Sequence, residues 1–104
     1  MESNQAPELS QVDHVAIAVT NVSEAVDWWC RTFSCNVTYQ DDSWAVLEFA
    51  NIKIALVIPE QHPPHLGFSR KDAKRFGPLV EHRDGSKSVY IKDPFGNSIE
   101  ILEK

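Results

Sequence analysis

The first hydrophobic segment of the chain, residues 12–19, alternates large with small side chains. The large residues are Val15, Ile17 and Val19, and the residues between them are His14, Ala16 and Ala18. A period of two residues is typical of a β-strand, whose successive side chains point to opposite faces of a sheet. The segment therefore predicts a strand with one bulky face and one roomy face, and His14 lies on the roomy face.

The spacing of apolar residues then changes to that of a helix. Ser23 is a suitable N-cap, and Glu24 follows it in the first turn, as is typical of helix starts. Apolar positions recur every three or four residues, at Val22, Ala25, Val26, Trp29 and Phe33. This pattern predicts an amphipathic helix that ends near Ser34.

Extended segments lie on both sides of a break at His62-Pro63-Pro64, where the prolines lack amide protons and disfavour helix before them. Before the break, strands are predicted over residues 37–40, 44–49 and 52–58. After it, the pattern predicts a strand over 65–68, a short helix over 71–76, a degenerate strand over 79–82, and strands over 87–92 and 98–102. The order of the first half is thus repeated in shortened form.

Alternating strands with only two helices predict an α+β domain, in which helices cover one face of an antiparallel or mixed sheet. The other face is then free to form a site. We expect residues 1–10 to be a flexible segment and residues 11–104 to be a single domain. Its two halves are predicted at 11–60 and 64–104.

Composition and charge narrow the possible partners. Fifteen acidic residues against ten basic residues give a net charge of −5, which disfavours nucleic acid as the main partner. The longest apolar runs have five residues, whereas a membrane span needs about 20. The first residues lack the pattern of a secretory signal, so we expect a cytoplasmic protein.

Cys30 and Cys35 are expected to be reduced and to act as small hydrophobic residues.

Three side chains with metal-binding chemistry lie opposite the bulky residues of their predicted strands. His14 is the first, and His65, which shares its face with Gly67, is the second. Glu100 is the third, on the face opposite Ile99. Two imidazoles and one carboxylate on a concave surface would bind a divalent metal and leave positions open for substrate. A metal would also offset the desolvation of a buried carboxylate.

Each of these residues also has an ordinary structural interpretation. His14 would be a hydrogen-bonded core histidine, His65 a loop residue, and Glu100 an exposed charge at a strand edge. The strand pattern alone leaves both interpretations open.

Several motifs together resemble the vicinal oxygen chelate superfamily. They are the strand at 13–17, the helix at 23–33 and the segment 88–101, in which an Asp-Pro-Phe-Gly-Asn turn precedes Ile99-Glu100-Ile101. That superfamily includes glyoxalases, methylmalonyl-CoA epimerase, extradiol ring-cleaving dioxygenases, fosfomycin-modifying thiol transferases and bleomycin-resistance proteins. The resemblance covers residues 12–103 and implies paired βαβββ modules that form an incomplete barrel with the helices outside.

By this resemblance, His14, His65 and Glu100 match three metal-ligand positions of the superfamily, and the implied cofactor is a divalent ion such as Fe²⁺, Mn²⁺, Zn²⁺ or Ni²⁺. A frequent fourth ligand comes from the last strand of the first module, where this sequence has Ala55. The departure favours the His/His/Glu pattern of extradiol dioxygenases and fosfomycin transferases. Glu48, on the preceding strand, is an imperfect substitute.

Two other side chains are candidates for contact with the substrate. Tyr90 lies ten residues before Glu100 across the hairpin turn, so its hydroxyl could orient a substrate or a bound water. His82 is a candidate proton shuttle, since the pKa of histidine lies near physiological pH. Trp28 and Trp29 cannot both face inward on one helix, which favours a homodimer.

These observations predict a small metal-dependent enzyme of the glyoxalase or dioxygenase type that acts on a small molecule with vicinal oxygens. Isomerisation, ring cleavage and thiol addition all remain open as the reaction. A different hypothesis is a metal-free binding module, like the bleomycin-resistance proteins, in which His14 and Glu100 would hydrogen-bond each other. A third is a purely structural dimer partner.

Overall fold

The computed structural model describes residues 8–104, so most of the segment predicted to be flexible, residues 1–7, lies outside the described residues. The elements occur in the order β1 (Gln11–Ala18), α1 (Val22–Thr32), β2 (Asn36–Gln40), β3 (Trp44–Glu48), β4 (Lys53–Val57), β5 (His65–Arg70), a 3₁₀ turn (Ala73–Phe76), β6 (Val80–Glu81), β7 (Lys87–Lys92) and β8 (Ser98–Glu103). None of these helices is long and apolar enough to span a membrane.

The strands form one mixed sheet of eight, in the order β2-β3-β4-β1-β5-β8-β7-β6. The pairs β1–β4 and β5–β8 are parallel, and β1 and β5 meet antiparallel in the middle of the sheet. Each half of the chain therefore contributes a strand, a helical segment and three further strands. The strands of the second half lie in the sheet in the mirror image of the order found in the first half. This confirms the predicted α+β class and its paired βαβββ modules, with a shortened second module.

The helix α1 begins two residues earlier than the sequence pattern predicts. Asn21, and not Ser23, is the N-cap, because its backbone is extended and its Oδ1 atom accepts a hydrogen bond from Glu24 N at 2.9 Å. Helix α1 ends at Thr32, where the extended backbone of Phe33 stops it. The prediction of a second α-helix over residues 71–76 is also wrong, because residues 73–76 form a single 3₁₀ turn that ends at Gly77.

The outer face of the first module is covered by α1. Val22 and Val26 on the helix pack against the sheet residues Ala45, Leu47 and Leu56, and these five residues form the first-module core. A smaller core of Ala73, Val89 and Ile101 lies beneath the 3₁₀ turn. Both cores lie on the same side of the sheet, so the concave side is left for a site.

Leu56 is fully buried in the first-module core, with 0% of its surface exposed. Replacing it with alanine is expected to lower the free energy of unfolding by about 2–5 kcal/mol, because apolar burial is lost and a cavity is left. Urea denaturation measures this change. Val80→Ala on the exposed edge strand is the control, and its effect is expected to stay within about 0.5 kcal/mol.

Candidate metal centre

The structure brings His14, His65 and Glu100 to one point on the concave face. His14 Nε2 lies 2.9 Å from His65 Nε2 and 3.1 Å from Glu100 Oε1, and His65 Nε2 lies 2.9 Å from the same carboxylate oxygen. All three residues are buried, with 6–8% of their surface exposed. They come from β1, β5 and β8, which are adjacent in the sheet. Three possible ligand atoms thus form a triangle with sides of about 3 Å.

The other ring nitrogen of each histidine faces an acceptor. His65 Nδ1 lies 2.7 Å from the carbonyl oxygen of Pro63, and His14 Nδ1 lies 2.8 Å from Asp13 Oδ2. A carbonyl or carboxylate oxygen can only accept a hydrogen bond, so both Nδ1 atoms are assigned as N–H donors. In the neutral rings, both Nε2 lone pairs therefore point into the triangle, as in histidines that bind metals.

Asp13 reaches His14 because the strand pairing is irregular at this position. The register of β1 against β5 shifts between Val12 and His14, so Asp13 is an extra residue, as in a β-bulge. Simple alternation places Asp13 and His14 on opposite faces, and sequence reasoning therefore missed Asp13 as a partner of His14. The Asp13 carboxylate also contacts Lys104 Nζ at 2.8 Å.

Gly67 leaves the space that the His14 ring occupies. It pairs with His14 on one side and with Glu100 on the other. A Cβ atom added to Gly67 would overlap the His14 imidazole deeply. The absence of a side chain at this strand position is therefore what allows the ring to lie across the sheet toward Glu100.

The second oxygen of Glu100 is held by a pair of polar side chains. Ser88 Oγ, which is almost fully buried, donates a hydrogen bond to Glu100 Oε2 at 2.6 Å. His82 Nε2 lies 2.6 Å from Ser88 Oγ, so the serine oxygen accepts from the imidazole N–H while its proton goes to the carboxylate. The carboxylate is thereby oriented with Oε1 toward the two histidines.

The close contacts within the cluster change the pKa values of Glu100 and His14. Burial raises the pKa of Glu100, but hydrogen bonds from His14 and His65, which their Nε2 atoms donate when protonated, and from Ser88 outweigh burial and hold that pKa well below its ordinary value. Burial likewise lowers the pKa of His14, but the Asp13 and Glu100 carboxylates raise it to about 9. Glu100 is thus a carboxylate at neutral pH, and the cluster stabilises positive charge at its centre.

A cavity of about 340 Å³ opens over the triangle. Its walls include Tyr39, Trp44, Val46, Ala55 and Val57 from the first module, and Tyr90 and Leu102 from the second. At one end the two edges of the sheet are joined by Arg83, whose guanidinium contacts Ser43 Oγ at 2.6 Å and Asp41 Oδ2 at 3.2 Å. The cavity is therefore a cup with an aromatic wall.

The remaining candidates occupy different places in or near the cup. Tyr90 stacks edge-on against His65, with ring centroids 5.1 Å apart, and burial together with the Glu100 charge raises its pKa. Ala55, which stands where the resemblance implies a frequent fourth ligand, lies in the wall of the cup and offers no ligand atom in its side chain. Glu48 is exposed and faces Asn36 Nδ2 at 3.5 Å, so it is not part of the triangle. His62 lines the cup beside Trp44, with ring centroids 5.8 Å apart.

Solved structures share this architecture. Methylmalonyl-CoA epimerase from Mycobacterium tuberculosis superposes with a TM-score of 0.74, covers 95% of this chain and 91% of its own, and is 18% identical. A glyoxalase/bleomycin resistance protein/dioxygenase superfamily member from Vibrio splendidus 12B01 gives a TM-score of 0.65 over 90% of this chain and 98% of its own, at 10% identity. The chain has the vicinal oxygen chelate fold.

An extradiol ring-cleaving dioxygenase from B. fuscum has the same fold in one third of a longer chain. Its TM-score is 0.64 at 20% identity, over 89% of this chain and 33% of the dioxygenase. No protein-family model matches the sequence, and a search of curated proteins finds no match. The likeness therefore rests on three-dimensional structure and shows the fold.

Within the vicinal oxygen chelate fold of this chain, the donor types of the triangle fit a divalent metal. Two imidazole nitrogens and one carboxylate oxygen are ligands that divalent ions accept, and three protein ligands leave further positions on the ion open. The three atoms lie 2.9–3.1 Å apart, close enough to be bound by one ion.

Asp13 is expected to strengthen metal binding through His14. Replacing it with asparagine removes the carboxylate that accepts the Nδ1 proton of His14, so the affinity for a divalent metal is expected to fall about 10–100-fold. Isothermal titration with Mn²⁺ or Zn²⁺ measures the change. Asp42→Asn, an exposed substitution in the β2–β3 turn, is the matched control, and an equal loss in both variants would contradict a specific role for Asp13.

Proposed function

We propose that His14, His65 and Glu100 hold one divalent metal ion and that the protein is a metal-dependent enzyme acting on a small molecule with vicinal oxygens. The observation that carries the proposal is the convergence of His14 Nε2, His65 Nε2 and Glu100 Oε1 at 2.9–3.1 Å. With both Nδ1 atoms used as donors, each Nε2 atom is left to bind either a proton or a metal ion. The two nitrogens and the carboxylate oxygen would repel one another unless a proton or a metal ion lay between them, and a metal ion would bind all three at once.

A bound metal would act as a Lewis acid and would stabilise negative charge that develops on substrate oxygens. The protein's own residues would supply geometry and shelter. Ser88 and His82 hold the second carboxylate oxygen of Glu100, and Pro63 and Asp13 hold the two imidazoles. These outer contacts support a rigid ligand set, which metal centres require for affinity and activity.

Tyr90 and His82 are the side chains that we propose to act on substrate. Tyr90 borders the triangle, and its raised pKa keeps the phenol protonated, so its hydroxyl would donate a hydrogen bond to a substrate oxygen. The His82 side chain is one quarter exposed and joined to Glu100 through Ser88. It would carry a proton between the cup and water.

The cup also supports a small substrate. Its volume of about 340 Å³ lies at the lower end of the usual range for small-molecule pockets, about 300–1,000 Å³. The similar structures include an epimerase and a ring-cleaving dioxygenase, which are different reaction types. We therefore propose that two neighbouring oxygens of the substrate chelate the metal.

The homodimer and the cytoplasmic location stay predictions. The half-exposed Trp28 supports the homodimer.

A metal-free binding module is the second candidate, and one observation favours it. His14 lies between two carboxylates, with Nδ1 2.8 Å from Asp13 Oδ2 and Nε2 3.1 Å from Glu100 Oε1. Both raise its pKa, so an imidazolium would supply the positive charge at this place. In that state His14 would bind Glu100 directly, and the aromatic cup would hold a ligand without a metal.

Metal content separates the two candidates. The protein is stripped with a chelator, equilibrated in turn with Fe²⁺, Mn²⁺, Zn²⁺ or Ni²⁺, desalted and analysed for metal. We expect about one ion per chain in the wild type and a rise in thermal stability with the ion that binds. His65→Ala should lose the ion, whereas His62→Ala, which removes another histidine of the cup, should keep it. Wild-type protein that retains none of the four ions would favour the binding module.

A further inference from the structure

The two cysteines of the chain contact each other on the outer side of the molecule. Cys30 Sγ and Cys35 Sγ are 3.8 Å apart, and neither is in a disulfide. Neither residue lines the cup. The pair is therefore a separate chemical feature, and the expectation that both cysteines act only as small hydrophobic residues omits their contact.

The segment between the cysteines is short and crosses the end of helix α1. Cys30 lies in the last turns of α1, which ends at Thr32, and Cys35 lies just before β2. Of the four residues between them, 31 and 32 end the helix, and 33 and 34 have no regular structure. A disulfide needs a sulfur–sulfur distance of about 2.05 Å, so the two sulfur atoms, now 3.8 Å apart, must come closer for the bond to form.

The two thiols differ in their surroundings. Cys30 is exposed, so a small reagent can reach it from solvent. Cys35 is partly buried and packs against the first-module core. Burial and the neighbouring Cys30 thiol raise the pKa of Cys35, so Cys35 is the less reactive partner toward an external reagent. A cysteine that reacts with a small disulfide can be resolved by a second cysteine beside it, and Cys35 lies in contact with the exposed Cys30.

We propose that Cys30 and Cys35 form a reversible intramolecular disulfide by exchange with a small disulfide of the oxidised glutathione class. The proposal is independent of the metal centre, because it involves neither the cup nor any residue around His14, His65 and Glu100.

The exchange takes place in two balanced steps. The Cys30 thiolate attacks one sulfur of the small disulfide, so that a mixed disulfide forms and one small thiolate leaves. The Cys35 thiolate then attacks Cys30 Sγ, which forms the Cys30–Cys35 bond and releases the second small thiolate. The two cysteines lose two electrons in total, the small disulfide gains them, and the two cysteine protons end on the two small thiols.

Chelator-treated, full-length protein is equilibrated with oxidised glutathione and then alkylated with iodoacetamide and digested. We expect the wild type to lose both alkylatable thiols and to yield a peptide pair linked through Cys30 and Cys35, with both thiols restored by dithiothreitol. Cys30→Ser and Cys35→Ser are the matched controls, because each keeps one thiol. Cys35→Ser should stop at the glutathione adduct of Cys30.

Three results would overturn the proposal. Wild-type protein could keep both thiols free while a control dithiol is oxidised in the same buffer. It could stop at a glutathione adduct, as the single variants do. It could instead form a disulfide between two chains, seen as a dimer on a non-reducing gel. The wild-type peptide map decides among these outcomes even where a serine variant folds poorly.

Discussion

Gly67→Ala is expected to abolish metal binding with little change to the overall fold. The added methyl group would overlap the His14 ring, so the imidazole must leave the triangle. Losing one of three ligands should weaken metal affinity by at least about 100-fold, because disturbing an outer contact already costs about 10–100-fold. Overpacking should also lower the free energy of unfolding by about 1–3 kcal/mol. Isothermal titration and urea denaturation measure the two effects.

A double-mutant cycle with His14→Ala tests the cause. If the collision between the methyl group and the imidazole is responsible, the stability penalty of Gly67→Ala should shrink when the ring is absent. A coupling of about 0.5–3 kcal/mol is typical of residues in contact. Wild-type metal affinity in Gly67→Ala, or penalties that simply add in the double variant, would show that the ring does not depend on this glycine.

The second large effect is expected for Glu100→Gln. The substitution keeps the shape of the side chain but removes the negative charge, and a neutral amide is a poor ligand for a divalent ion among two imidazoles. Metal affinity should again fall by at least about 100-fold, since an inner ligand contributes more than the outer contacts that already contribute about 10–100-fold. Elemental analysis after desalting and titration with Mn²⁺ both report this loss.

Glu48→Gln is the matched control for Glu100→Gln. It makes the same chemical change on an exposed glutamate outside the triangle, so its metal affinity should equal that of the wild type. Circular dichroism of both variants establishes that the fold is intact. Equal losses in the two variants, or none in either, would remove Glu100 from the proposed ligand set.

The positions of the three proposed ligands could be read from the sequence because regular alternation is a strong signal in strands. His14, His65 and Glu100 each lie opposite bulky neighbours, and the sheet places their strands side by side. The resemblance to the vicinal oxygen chelate superfamily added the order of the strands, and the structure confirms that fold.

The contacts that support the three proposed ligands could not be predicted from the sequence, and each has a physical reason. Asp13 joins the site through an irregular strand pairing that changes the alternation by one residue. Ser88 shares a strand face with Tyr90, but nothing in its type distinguishes a buried partner of Glu100 from an ordinary strand serine. The contact of His82 with Ser88 depends on the path of the loop between β6 and β7.

Both errors in the predicted helices have causes in nearby residues. Asn21 and Ser23 are both good N-caps, and the choice depends on which residue has an extended backbone, which is Asn21 here. Residues 71–76 have helical composition, but Gly77 and Pro78 follow directly. The segment is too short for a stable α-helix without further packing, so one 3₁₀ turn forms.

Anomalous diffraction from a crystal of the protein equilibrated with Mn²⁺ or Zn²⁺ tests the proposed metal centre most directly. We expect one strong peak, about 2.0–2.2 Å from each of His14 Nε2, His65 Nε2 and Glu100 Oε1. A peak bound by other residues, or none in the cup at saturating metal, would contradict the proposed metal centre.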